Sequence, residues 1–412
     1  MKKLLYILLN TFLILFVSNC GKTNNAPDNT INFWHFWSEP NQKQALSEII
    51  EIFEKENNCK VELTELSWND GKTKLITAFS SDVQPDVVEL GSDWIAQFSS
   101  TKVLMDITND SINFDDFLEY SLAPAIWENK YYAVPWIVDT RVLFYNKKLM
   151  QDAGLSDTPP TTYFELIEYA NAINQPNNNI YGFGANGQDP HRLYKKILPM
   201  IWTNGGDILD AMGRPSINSI NNADALNLYL QLSRCGIIET QRQLDSYFSQ
   251  GKIGFVFSGA WLLEKIKNEN PKLDFGVALV PTISDKKKYG VSFLGAEYLA
   301  ITKNTSKKEL ALKLIKYLTD GENALIFAKK FAEAGFPANK DYSNSVELLS
   351  NEHKKIFAEQ LKYAKATPVH SRWLDIEACL ENKVTSALYG QMDIHSALNS
   401  AQVEILQLLN SK

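Results

Sequence analysis

Nine tryptophans punctuate this sequence, and most of the places where they fall also carry a charged side chain. Trp34 and Trp37 precede Glu39, Asp93 precedes Trp94, Trp136 precedes Asp139 and Arg141, and Arg372 precedes Trp373. Trp261 follows a Gly-Ala pair. An indole has a flat apolar face and few rotors, so it can cover the C–H face of a sugar ring at small entropic cost. Sugar hydroxyls then need acceptors and forked donors, which carboxylates and Arg supply through charge-assisted bonds. For any one of these residues the competing role is structural: core packing for a tryptophan, a solvated face for a carboxylate. Packing is the better reading for Trp68, Trp127 and Trp202, which lie inside regular patterns, and a solvated face for Glu297. His35, between Trp34 and Trp37, remains a candidate for the same site.

Other chemistries find less support. Gly182-Phe183-Gly184-Ala185-Asn186-Gly187 fits G-x-G-x-x-G, with Asp207 downstream as a dinucleotide site would have it. An exported chain has little access to NAD, so no cofactor is expected. His35, His191, His353, His370 and His395 show no metal-ligand spacing, and no metal is expected either. Two carboxylates across a glycosidic bond would make a glycoside hydrolase, but no local signature marks an acid/base pair. A sugar phosphate would want clustered cations, and only Arg141 and Arg372 qualify; a polyamine would want more carboxylates.

These residues need rigid elements to hold them. Ile31–Trp34 reads as a strand, Leu46, Ile49, Ile50 and Phe53 fall at helix spacing, and Lys60–Leu66 alternates as a second strand. A helix closes near Ile76–Ser80, and Pro85–Gly91 is a third strand. This rhythm implies a mainly parallel sheet covered by helices, whose ligands sit beyond the C-terminal strand ends. Tyr131–Asn146 is one long β-rich stretch that could leave one sheet for another. Asn146 caps a helix, Thr162 with Glu165 opens another, and Ser306 with Glu309 opens one carrying Leu310, Ala311, Leu314, Ile315 and Leu318.

The ends and the composition set the compartment. Lys2 and Lys3 precede the apolar run Leu4–Val17, and Val17-Ser18-Asn19-Cys20 follows. This has the form of a bacterial lipoprotein signal, in which Cys20 is lipidated and becomes the new N-terminus. Residues 21–30 read as a polar spacer. The net charge of −7, with no long basic run, makes nucleic acid a poor partner. Cys59, Cys235 and Cys379 read as buried small apolar residues, with a Cys235–Cys379 bridge left open.

Taken in order, the landmarks resemble the extracellular solute-binding proteins of ABC importers, the group that includes the maltose-binding protein. Pro85-Asp86-Val87-Val88 with Trp94, Tyr132–Trp136 running into Leu143–Leu149, and Ala153-Gly154-Leu155 with Pro159–Thr162 all match family landmarks. Asn204–Asp207, Gly251–Phe255, Gly259-Ala260-Trp261, Gly276–Pro281 and Phe293–Ala296 follow at matching distances. The resemblance implies an α/β fold of two lobes, of the type II-like periplasmic-binding-protein class, with a ligand cleft between lobes joined by crossover strands. It implies a signal at 1–19, an anchored linker at 20–30, one lobe from 31–137 plus 294–336, and the other from 138–293 plus 337–412. It also implies a site of Trp37, Glu39, Asp93, Trp94, Trp136, Asp139, Arg141, Trp261, Gly295, Arg372 and Trp373, and a glycine-rich run at Gly182–Gly187 in a loop of the second lobe. The cargo would be a sugar or oligosaccharide, or less readily another solute such as a sugar phosphate or polyamine. The partners would be the permease transmembrane subunits and, through lipid on Cys20, the membrane. The protein would act as a monomer at the periplasmic or cell surface, without catalysis. Cys20→Ala should therefore release it from the membrane fraction or leave an uncleaved precursor. Intact mass of the mature protein checks this, and an unlipidated chain cut elsewhere would contradict it.

Overall fold

A computed structural model of the chain describes residues 29–68, 70–81, 83–283, 289–331 and 334–410. The leader, Cys20 and the spacer up to Asp28 lie outside the described residues. Strands are numbered in chain order, as are helices of nine or more residues.

The first lobe opens with β1 (Thr30–His35), α1 (Pro40–Asn57), β2 (Lys60–Glu65), α2 (Gly71–Phe79) and β3 (Val87–Gly91). β1 pairs in parallel with both β2 and β3. Pro40 in the first turn and a capping box between Glu39 and Gln42 start α1. Its face of Ala45, Leu46, Ile49, Ile50 and Phe53 is buried against the sheet side of the lobe.

The long stretch expected at Tyr131–Asn146 is broken twice. β4 (Ile126–Trp127) and β5 (Lys130–Tyr131) form a hairpin whose two turn residues, Glu128 and Asn129, have φ of 49° and 62°. That is the backbone twist a two-residue hairpin requires. β6 (Val134–Thr140) then joins the first sheet, Arg141 stands alone, and β7 (Val142–Asn146) joins the second.

The second lobe continues with α3 (Tyr163–Ile173), β8 (Tyr181–Asn186), α4 (Tyr194–Thr203), α5 (Ile220–Arg234) and β9 (Gly236–Glu239). α6 (Gln241–Ser249), β10 (Ile253–Ser258), α7 (Trp261–Glu269) and β11 (Phe275–Ala278) complete its sheet, in the order β11-β7-β10-β8-β9. The Thr162–Glu165 capping box forms as read, each side chain accepting from the other's backbone N–H at 3.1 Å. The Gly182–Gly187 run, expected in a loop, is mostly strand β8. Its glycine at 182 serves packing, since a Cβ there would lie 1.8 Å from the Ala170 carbonyl oxygen. Cys59, Cys235 and Cys379 are free and buried, so the Cys235–Cys379 bridge is not formed.

β12 (Ser292–Ile301) returns to the first sheet between β3 and β6, antiparallel to both. α8 (Lys308–Thr319) and α9 (Gly321–Lys330) follow, and β13 (Phe336–Pro337) adds to the edge beside β6. α8 starts one residue beyond Ser306: its N-cap is Lys307, whose N–H donates to Thr305 Oγ1 at 3.0 Å. α10 (Glu352–Leu361), β14 (Ala364–Lys365), α11 (Trp373–Leu388) and α12 (Ile394–Asn410) finish the chain. The first sheet runs β13-β6-β12-β3-β1-β2, with β14 on the start of β12.

The chain thus passes between sheets at Arg141, ahead of Ser292 and beyond Pro337. Ser292 ties the first two passages together. Its hydroxyl accepts from Thr140 Oγ1 at 2.9 Å and from the Arg141 N–H at 3.3 Å, and donates to the Arg141 carbonyl at 2.7 Å. All of these groups are buried. Ser292→Ala leaves them without a common partner and should cost about 1–3 kcal/mol. The expected outcome is a lower urea midpoint with an unchanged slope, read by circular dichroism.

Candidate functional site

β1, β3 and β6 all run the same way, so their C-terminal ends meet at one edge of the first sheet, where such folds hold ligands. Successive residues of a strand face opposite sides. The register Phe33↔Val87 therefore puts His35 and Glu89 on one face. Glu89 pairs with Leu299, Gly91 with Glu297, and Asp139 with Gly295. His35, Glu89, Glu297 and Asp139 form a polar row along that face. Glu89 accepts the Phe36 N–H at 2.8 Å. Glycine is needed at 295, because a Cβ there would lie 1.7 Å from Asp139 Oδ1.

The second lobe closes on this row. Arg141 Nη1 holds Asp139 at 2.6 Å, and its guanidinium lies 4.5 Å from the Trp261 ring centroid. The indole is fixed from behind: Nε1 donates to Asp245 at 2.7 Å, and Gly259 leaves room for a ring that a Cβ would meet at 2.0 Å. Across the junction, the Tyr194 hydroxyl donates to Asp93 at 2.8 Å. Tyr194 also lies edge-on to Phe293 (5.7 Å) and Trp373 (6.0 Å), and Lys195 sits 5.4 Å from the Tyr194 and Phe293 rings. A surface groove of about 600 Å³, lined by Leu263, Lys267, Phe275, Lys330 and His353 among others, shares none of these residues.

The structure brings together Asp93, Asp139, Arg141, Trp261, Gly295 and Trp373. It places the other expected residues differently. Trp37 and Trp136 are core residues of the first lobe: Trp136 stacks on Phe327 at 4.7 Å, and Trp37 meets Phe327 edge-on at 5.1 Å. Trp94 is buried against Phe36 and Trp68. Glu39 is exposed and caps α1. Arg372 turns to Asp375 at 2.6 Å and to the Leu408 carbonyl at 3.2 Å, binding α11 to α12. Two readings are reversed. Trp68, expected to pack, is 39% exposed, stacked on Phe36 at 4.2 Å, beside Gly91. Glu297, expected on a solvated face, has an enclosed Oε2 with no hydrogen-bond partner among the described residues. Tyr194, Lys195, Phe293 and Glu89 were not singled out by sequence. Glu89 and Glu297 interrupt otherwise apolar buried strands, and that was the available signal.

Burial dominates the electrostatics. It pushes the Glu89 carboxyl up to about 8 and the His35 imidazole down to about 4. Glu297 is raised well above the usual range by burial, then by Glu89 and Asp139. A carboxyl that titrates at 4.5 unfolded and about 8 folded keeps a proton that the unfolded chain has lost. Its contribution is present at low pH and falls as pH rises through that window. His35 works oppositely: between 6.5 and about 4 the unfolded chain binds the proton first, so stability falls as pH falls. Glu89→Gln should therefore flatten the loss of stability between about pH 5 and about pH 8. Urea midpoints at the two pH values measure it, and an unaltered pH dependence would contradict it.

Comparison with known proteins gives a consistent family. The family described as bacterial extracellular solute-binding protein matches residues 37–324. A galactooligosaccharide-binding protein of Bacillus subtilis is 24% identical over 382 residues, covering 89% of this chain and 86% of that protein. A maltooligosaccharide ABC transporter solute-binding lipoprotein of Streptococcus pneumoniae is also 24% identical, over 90% of this chain and 87% of its own. An ABC transporter solute-binding protein of Thermotoga lettingae, solved with α-D-tagatose, superposes with a TM-score of 0.84 at 22% identity, covering 93% of this chain and 100% of its own.

Proposed function

The chain belongs to the bacterial extracellular solute-binding proteins, and we propose that it captures a sugar or oligosaccharide between its lobes. The ligand is handed to the permease subunits of an ABC importer, and lipid on Cys20 keeps the protein at the membrane as a monomer. The lobes divide near Arg141, Ser292 and Pro337. The observation that carries the reading is the junction itself. Arg141 holds Asp139 of the first lobe and lies over Trp261 of the second, and Phe293 and Tyr194 connect it to Asp93. Glu297 adds a buried carboxyl whose Oε2 has no hydrogen-bond partner among the described residues. The set offers acceptors in excess of donors, which suits a ligand rich in hydroxyl groups.

Trp261 supplies the stacking face. Here the guanidinium of Arg141 lies on it, and a pyranose C–H face takes that place when sugar binds. Trp68 lies at the first-lobe edge, beside Gly91 and Trp94, as a second ring. Relatives of this chain bind galactooligosaccharide and maltooligosaccharide by name, in keeping with this chemistry. No step in the reading breaks a covalent bond.

Removing a buried acceptor strands the hydroxyl it served, at about 1–3 kcal/mol. Loss of a stacked indole costs at least as much. A thermal-shift screen of residues 21–412 against mono- and oligosaccharides should find a ligand that raises the midpoint by mass action. Trp261→Ala and Asp139→Asn should then each weaken binding about tenfold or more in calorimetry, with the fold retained. Variants that bind like the parent would misplace the site.

A further inference from the structure

The histidines show no metal-ligand spacing along the chain, but the fold brings one of them to two glutamates. His191 precedes α4 with φ of 63°, and its N–H donates to Glu381 Oε2 at 2.7 Å. The Tyr194 N–H donates to the other oxygen of Glu381 at 3.0 Å. Glu377 and Glu381 are one turn apart on α11 and so share a face. His191 Nδ1 meets Glu377 Oε1 directly. One ligand atom from each of the three residues can be chosen so that all lie within 4.8 Å of one another.

Two further observations point to a cation. Glu377 is fully buried, and its Oε2 has no hydrogen-bond partner among the described residues. The His191 side chain is 40% exposed, which leaves a route in from solvent. An imidazole nitrogen with two carboxylates is a zinc-type donor set, whereas calcium and magnesium prefer oxygen alone.

We propose that His191, Glu377 and Glu381 bind a divalent zinc-class ion at the junction of the lobes. The ion replaces the proton shared between His191 Nδ1 and Glu377 Oε1 and gives Oε2 a partner. Glu381 keeps its backbone donors and presents its remaining lone pairs. Cys379 takes no part, since its thiol faces the Ala401 carbonyl.

The test uses zinc chloride alone and needs no sugar, so it stands apart from the transport reading. The chain without its leader is dialysed against chelator, then titrated by calorimetry. The parent should take up one equivalent and melt at a higher temperature. His191→Ala and Glu377→Gln should each weaken uptake tenfold or more, while Trp261→Ala should leave it unchanged. Should the variants fail to fold, anomalous scattering at the zinc edge from parent crystals decides the matter. A peak between the three side chains supports the site. No uptake by the parent, equal uptake by both variants, or a peak only elsewhere overturns it.

Discussion

Arg141 carries two duties that would be separable in a simpler fold. Its backbone is the single residue between a strand of one sheet and a strand of the other. Its side chain bridges Asp139 and the face of Trp261. Ser292 grips both the N–H and the carbonyl of that residue, so the peptide cannot rotate freely while the lobes move. Any change in the angle between lobes must then shift the guanidinium relative to Trp261, which belongs to the second lobe. Hinge closure is a recognised class of switch. It responds to a ligand only through contacts that differ between the two states. In the proposed sugar site the residue that joins the two sheets is also one that meets Asp139 and Trp261, which would supply such a difference without a relay.

The carboxyl groups give the junction between the lobes its energetic character. Glu89, Glu297, Asp93 and Asp139 gather at one sheet edge, and Glu89 and Glu297 each keep a buried oxygen with no hydrogen-bond partner among the described residues. An unsatisfied buried acceptor costs free energy comparable to a lost hydrogen bond. The Tyr194–Asp93 bond across the junction offsets part of this. In the proposed binding mode, ligand hydroxyls that pair with these groups remove more of the cost with the lobes closed than with them open, where water serves the same groups. Hydroxyl groups in particular would therefore favour closure, and apolar area alone would not achieve the same bias.

Much of the fold was legible because its signals are local. The Thr162–Glu165 box, the apolar spacing of α1 and the strand at β3 each depend on a few neighbouring residues, and each is found where it was read. The misreadings depend on what lies across the sheet. Nothing local says that Tyr131–Asn146 must break at Arg141, because the break is imposed by two different sheets. The Gly182–Gly187 pattern looks like a phosphate loop until Ala170 is seen to press its carbonyl against the strand. Likewise His191 and Glu377 are far apart in sequence, and no spacing rule could have joined them.

The tryptophans show where such reading stops. Trp136 and Asp139 lie on the same strand, but the pairing of β6 with β12 shifts at Trp136, which falls between the paired residues Pro135 and Ile137 and has no partner in that ladder. Asp139 reaches the site while Trp136 packs beneath α9, against Phe327. Nearness along a strand does not by itself bring two side chains to one face, because alternation holds only between such irregularities. Asp139 and Arg141 hold each other at 2.6 Å where the chain leaves β6. Trp261 reaches the site by a different route. It begins a helix at the end of β10, where the backbone turns and strand parity no longer applies.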